Sequence, residues 1–168
     1  MQATELLKFA LEFTDEGIKG VLAGMDNAAM TPSTPGAQGG DGNHALWTLG
    51  HLAYIEGTVP QILFGEPNPV AHWEKLFGTG TKPLADASAY PPYAEVRETF
   101  HRVRAANVAR LQLLSDSELD SRPRNVPPMF EPFMSTIASV YTVIALHTMV
   151  HYGQITDARR VAGLPPLL

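Results

Sequence analysis

The stretch STIASVYTVIALHTMVHYGQITDARRVAGLPP, Ser135–Pro166, is the one on which the fold turns. Its apolar residues recur at helical rather than alternating spacing, and no strong breaker interrupts it before Gly163 and Pro165. One helix is therefore expected from about Ser135 to about Ala162, with Gly163-Leu164-Pro165-Pro166 as its stop and Asp157–Arg160 as solvated or partner-facing last turns. Inside it, His147 and His151 stand four residues apart in an apolar setting, either as packing or as part of a metal site.

Three more stretches share the helical period. The first runs from Thr4 to about Met25, where Leu6, Phe9, Ala10, Phe13 and Val21 trace an apolar face with Gly17, Gly20 and Gly24. Those glycines permit close approach of a neighbouring helix, at about 1 kcal/mol each relative to alanine. A second helix is expected from a cap at Asn43 to about Leu63, with Pro60 kinking or ending it. The third spans about Pro92 to Leu114, and Ser115–Leu119 adds a further turn. The connections are long. Asn27–Gly42, rich in glycine and proline, is a candidate lid or a disordered connection; Phe64–Pro92 is a structured excursion around HWEKLFG; Arg122–Pro132 crosses over to the last helix. Four long helices without strands predict an all-α fold, a four-helix bundle with a long crossover connection, as a single domain over residues 1–168.

Composition bounds the function. The 168 residues are 45% hydrophobic and 17% charged, which is globular, and a chain this long can bury roughly 70% of its unfolded surface. No apolar run approaches the roughly 20 residues of a membrane span. The amino terminus carries acidic residues where a signal peptide would be basic, so the reading is cytoplasmic. A net charge of -5 with scattered arginine pairs argues against nucleic acid as a partner. The absence of cysteine excludes disulfides, thiolate ligands and a cysteine nucleophile, so any thiol chemistry needs an external thiol.

On a helix, His147 and His151 lie about 6 Å apart along the axis and about 40° apart around it, which allows both to reach one ion. Thr148 follows the first histidine, so the glutamate base of H-E-x-x-H metalloenzymes is missing. A third ligand is best sought at His51 in the second helix, because facing helices of a bundle assemble metal sites from inward side chains and three ligands leave a position open. The competing reading is three satisfied core histidines. His44, about 10 Å along the helix from His51, is a candidate to line the entrance and handle a proton, against a solvated first-turn residue. Glu56, one turn beyond His51, is a second candidate proton carrier. Gln154 is either a hydrogen-bonding partner of the site or helix packing. Trp47 reads as a core anchor, Trp73 as a cap on the bundle or a wall of the pocket, and His101 as part of a solvated face.

Trp47–Gly57, WTLGHLAYIEG, together with His147–Pro166, HTMVHYGQITDARRVAGLPP, resembles the DinB-like family over most of the chain. The resemblance implies a four-helix bundle, often a homodimer, with His51, His147 and His151 holding a divalent metal ion such as zinc or nickel. Gly153-Gln154 agrees with the family pattern, whereas Tyr152 stands where a common form has arginine or lysine. The implied activities are those of a metal-dependent transferase using a small external thiol of the mycothiol or bacillithiol type, or of a hydrolase, acting on a small-molecule substrate. A non-enzymatic bundle that binds metal or a small ligand is the alternative. The family's name does not imply DNA binding.

Overall fold

The computed structural model describes residues 2–165 and is helical apart from loops and an isolated bridge between Pro35 and Asp41. Four long helices, α1 (Ala3–Leu22), α2 (Ala45–Phe64), α4 (Tyr93–Leu111) and α6 (Ile137–Val161), form the bundle, with short turns α3 (Glu74–Phe77) and α5 (Asp116–Leu119) in the connections. Each long helix lies within a few residues of its expected range. Pro166, part of the expected helix stop, lies outside the described residues.

Two apolar clusters define the direction of each helix. Leu11 of α1 packs with Tyr141 and Ile144 of α6 in one cluster, and Ile18 and Val21 pack with Ile155 and Ala158 in the other. Therefore α1 and α6 run parallel. α2 and α4 run the opposite way, because Leu49 and Phe100 belong to the second cluster and Leu63 and Leu111 to the first. The chain between α2 and α4, residues 65–92, carries it back along the bundle. A long crossover is expected from the sequence, but its place differs: the return along the bundle is made here, in the stretch read as a structured excursion, whereas Arg122–Pro132 joins the neighbouring ends of α4 and α6. Val70, Trp73 and Phe77 of the crossover are buried against α2.

α2 is the inner helix, buried all round from Ala45 to Ala53. Its glycines, rather than those of α1, provide the close approach: a Cβ at Gly50 would overlap the Phe77 ring, and one at Gly57 would overlap Asn68 and Val70. Pro60 does not end the helix, which continues to a left-handed stop at Gly65 with φ 74°. Proline lacks the N–H that would bond the Glu56 carbonyl four residues back. Asn107 of α4 supplies it, its Nδ2 donating to Glu56 O at 3.0 Å.

Two sequence expectations about helix faces are corrected. Leu6, Phe9 and Phe13 lie on the exposed side of α1, and the buried side is Leu11, Thr14, Ile18, Val21 and Leu22. The threonine in that set breaks the apolar pattern, and its hydroxyl accepts from Arg104 in the bundle centre. At the far end, Arg159 is not solvated. It is buried and donates to the carbonyls of Val21 and Ala23, which satisfies backbone acceptors that the end of α1 leaves without helical partners.

Candidate metal centre

His51 enters from α2, and His147 and His151 from α6, on the antiparallel pair of helices at the bundle centre. His51 and His151 are buried and His147 is half-buried. Their ring centroids lie 5.3, 5.0 and 4.4 Å apart, and one nitrogen from each falls within 4.8 Å of the other two. The i, i+4 spacing on α6 and the inward register of α2 thus bring together the three residues that the sequence singled out.

Hydrogen bonds orient the rings. His51 Nδ1 donates to the Phe77 carbonyl at 2.7 Å, which leaves Nε2 as the free acceptor. His151 Nδ1 donates to Gln154 Oε1 at 2.8 Å, and Asn43 Nδ2 donates to the same oxygen at 3.1 Å. The Nε2 atoms of His147 and His151 face each other at 3.0 Å. The Trp47 indole stacks on His51 with centroids 4.9 Å apart and planes 7° from parallel, and its Nε1 donates to Thr81.

The donor set fits a borderline-soft divalent ion. Metal-binding histidines characteristically donate their other N–H to a carbonyl or side-chain oxygen, as His51 and His151 do. An ion about 2.0–2.1 Å from each nitrogen in tetrahedral geometry sets nitrogen spacings of about 3.3–3.4 Å. The 3.0 Å separation of the two α6 nitrogens needs only a few tenths of an ångström of opening. The imidazoles are also held neutral, the form that ligates. Burial lowers the pKa of His51 and of His151, and His147 is pushed down to about 3, first by burial and then by its histidine neighbours.

The other candidates are placed differently. His44, not Asn43, is the cap of α2: its Nδ1 accepts from Trp47 N at 3.0 Å. Its Nε2 bonds Leu84 O, and the ring is buried rather than solvated. Both nitrogens are engaged, so it has no proton to carry at the site. Glu56 points away from the histidines into the α2–α4 interface, where both carboxylate oxygens are bonded to Arg104 and Asn107. His101 is paired with Asp15 at 2.7 Å rather than solvated. None of the described residues of the Asn27–Gly42 loop is among those that line the cavity beside the histidines.

That cavity, about 540 Å³, opens on His51 and His147. Residues the sequence reading missed include Phe77, which acts through its carbonyl and so leaves no side-chain signature, and Asn43, taken for a helix cap. Glu74 and Tyr54 also line the cavity, and only the spacing of Tyr54, three residues after His51, signalled it.

A family model for the DinB superfamily matches residues 10–155, and the chain belongs to that superfamily. Membership and the three-histidine cluster together point to metal binding. A search of curated proteins finds no match.

Gln154 provides a specific test of how the rings are held. Gln154→Ala removes the acceptor for His151 Nδ1, and zinc affinity measured by competition with a chromophoric chelator is expected to fall about 10- to 100-fold. Gln154→Glu, which keeps an oxygen there, recovers most of it. Unchanged affinity in Gln154→Ala would show that packing alone orients His151.

Proposed function

We propose that this chain is a divalent-metal-dependent enzyme, with His51, His147 and His151 as ligands and zinc or nickel as the ion, that acts on a small molecule using an external thiol. The observation that carries this reading is the convergence of three imidazoles, two of which, His51 and His147, face a ligand-sized cavity. When bound, such an ion supplies Lewis acidity that keeps a thiol ionised or lowers the pKa of water. Trp47, stacked on His51, covers one side of that ring, and the side facing the cavity is where a substrate would approach. Thiol transfer is favoured over hydrolysis because His44 and Glu56 are both tied into structural hydrogen bonds. A thiol needs less help losing its proton than water does, and among the described residues that line the cavity Glu74 is the one carboxylate.

The same engaged His44 and Glu56 favour a second reading, a non-enzymatic metal- or ligand-binding bundle. Elemental analysis of protein purified without an affinity tag, followed by metal-loaded assays with low-molecular-weight thiols and a panel of electrophiles, separates the two. Stoichiometric metal with metal-dependent thiol transfer supports the enzyme. Metal without turnover in either thiol-transfer or hydrolysis assays supports the binding module, and no metal rejects both forms of the site.

A homodimer is part of the proposal. Leu6, Phe9 and Phe13 of α1 and Leu146, Met149 and Val150 of α6 are exposed on two helices packed side by side. A concentration of large apolar side chains marks an interaction face, and a second copy would cover it. Sedimentation velocity is expected to give a dimer, and Phe9→Lys combined with Val150→Lys a folded monomer. A monomeric wild-type chain at micromolar concentration would count against it. No described helix is long and apolar enough to cross a membrane.

A further inference from the structure

The cavity beside the histidines has a direction and a polarity that define what it can hold. Along α2 it is lined by His51, Ile55, Thr58 and Ile62, a single helical face that extends about 16 Å at 1.5 Å per residue. Ile144 and Val143 of α6 form the facing wall, and Phe130 and Met134, from the connection before α6, join the lining together with Ile62. The histidines therefore stand at one end of an elongated space, and the other end is largely apolar, with the exposed side chains of Gln61 and Asn125 at its rim.

Charge and hydrogen bonding sharpen this. No lysine or arginine is among the described residues that line the cavity, and Glu74 is their one carboxylate. Three of the lining side chains that could donate to an anion are turned to backbone carbonyls instead: Thr58 to Ile55, Thr81 to Gly78 and Asn125 to Gln61. A carboxylate or phosphate held there would lose its water without gaining a cation, which is costly in an apolar site.

We propose that the cavity selects substrates with a small metal-seeking head at His51 and His147 and an uncharged apolar tail lying toward Ile62, Phe130 and Met134, and that it rejects tails bearing an anionic group. The inference rests on the proposed metal site for the position of the head. It also narrows the external thiol: a thiol on an uncharged carrier fits this lining, and one decorated with carboxylates does not.

Three hydroxamic acids test it: acetohydroxamic acid, octanohydroxamic acid, and the eight-carbon analogue ending in a carboxylate. Calorimetry with zinc-loaded and metal-free protein measures each, alongside zinc binding itself. The expected result is that the octyl compound binds at least tenfold tighter than both the acetyl compound and the carboxylate-ended one. Val143→Lys, which places a cation in the half-buried wall, is expected to reverse the preference between the two long compounds. Zinc binding with equal affinities for all three overturns the cavity proposal and leaves the metal site standing. Preference for the octyl compound without zinc binding supports the selectivity for an apolar, uncharged tail and overturns the metal site. Tighter binding of the carboxylate-ended compound than of the octyl one overturns the charge selection.

Discussion

Glu56→Ala is expected to destabilise the protein by about 3–5 kcal/mol, the cost of removing one partner from a buried ion pair. Arg104 is fully buried, and its donors reach Glu56 Oε1 through both Nε and Nη2, the Leu11 carbonyl, Thr14 and Thr148. Without the carboxylate a guanidinium is left in the bundle centre with only neutral acceptors. Asn107 also loses the Oε2 it donates to. Against a total stability of about 5–15 kcal/mol for a domain, the variant is expected to be largely unfolded at modest urea concentration. The physical origin is checked by Glu56→Leu with Arg104→Met, which removes both charges and is expected to recover most of the loss. A loss below about 1 kcal/mol for Glu56→Ala in equilibrium urea unfolding would sink the argument. The folded double variant should still bind zinc, since neither residue touches the histidines.

The second large effect concerns the metal. On the proposed function, the wild type is expected to bind one zinc ion and to be stabilised by it by about 2.7 kcal/mol at a free concentration one hundred times the dissociation constant, and replacing His51, His147 or His151 by alanine is expected to abolish both. Thermal unfolding with and without zinc reads both. If His147→Ala retains one tightly held ion per chain, the assignment is wrong. Acid should act on the metal-free protein through the same residues. A histidine whose pKa is depressed in the folded state takes up its proton more readily when unfolded. Stability attributable to His147 is therefore intact above pH about 6.5, the ordinary histidine value, and declines as pH falls from there toward about 3. The slope is at most about 1.4 kcal/mol per pH unit for this one group. The lowered pKa values of His44, His51 and His151 act in the same direction. A flat stability profile between pH 6.5 and 4 would show that the rings are not held neutral.

Most of the bundle was legible because periodicity survives without tertiary information. The range of α6 followed from its apolar repeat and the glycine after it, whereas the crossover was expected at Arg122–Pro132 and lies between α2 and α4, because the length of a connection does not say which helix ends it joins. The three histidines were legible for a related reason, since helical spacing alone brings His147 and His151 together and the bundle supplies an inward register for His51. What failed was the choice of face on α1. Leu6, Phe9 and Phe13 are more apolar than Thr14, yet Thr14 is inside because a buried arginine needs its hydroxyl. No pattern of hydrophobicity encodes that requirement. His44 and Glu56 were offered as candidates because they lie near the site in sequence, and what sequence could not show is that long-range partners at Leu84 and Arg104 engage them. The cavity was invisible because it is made by segments far apart in the chain, with Phe130 and Met134 reaching it from a stretch that the sequence marks only as a crossing.

The different partners of the two buried histidines of the candidate centre have unequal consequences for how it tolerates change over many substitutions. His151 depends on the side chain of Gln154, so a single-base exchange in that codon can loosen it. His51 depends on the carbonyl of Phe77, an atom that every amino acid at that position would still provide. Drift at residue 77 is restrained by the missing side chain at Gly50, through packing rather than chemistry. One corner of the centre is thus open to tuning by mutation, while the other is kept by the backbone.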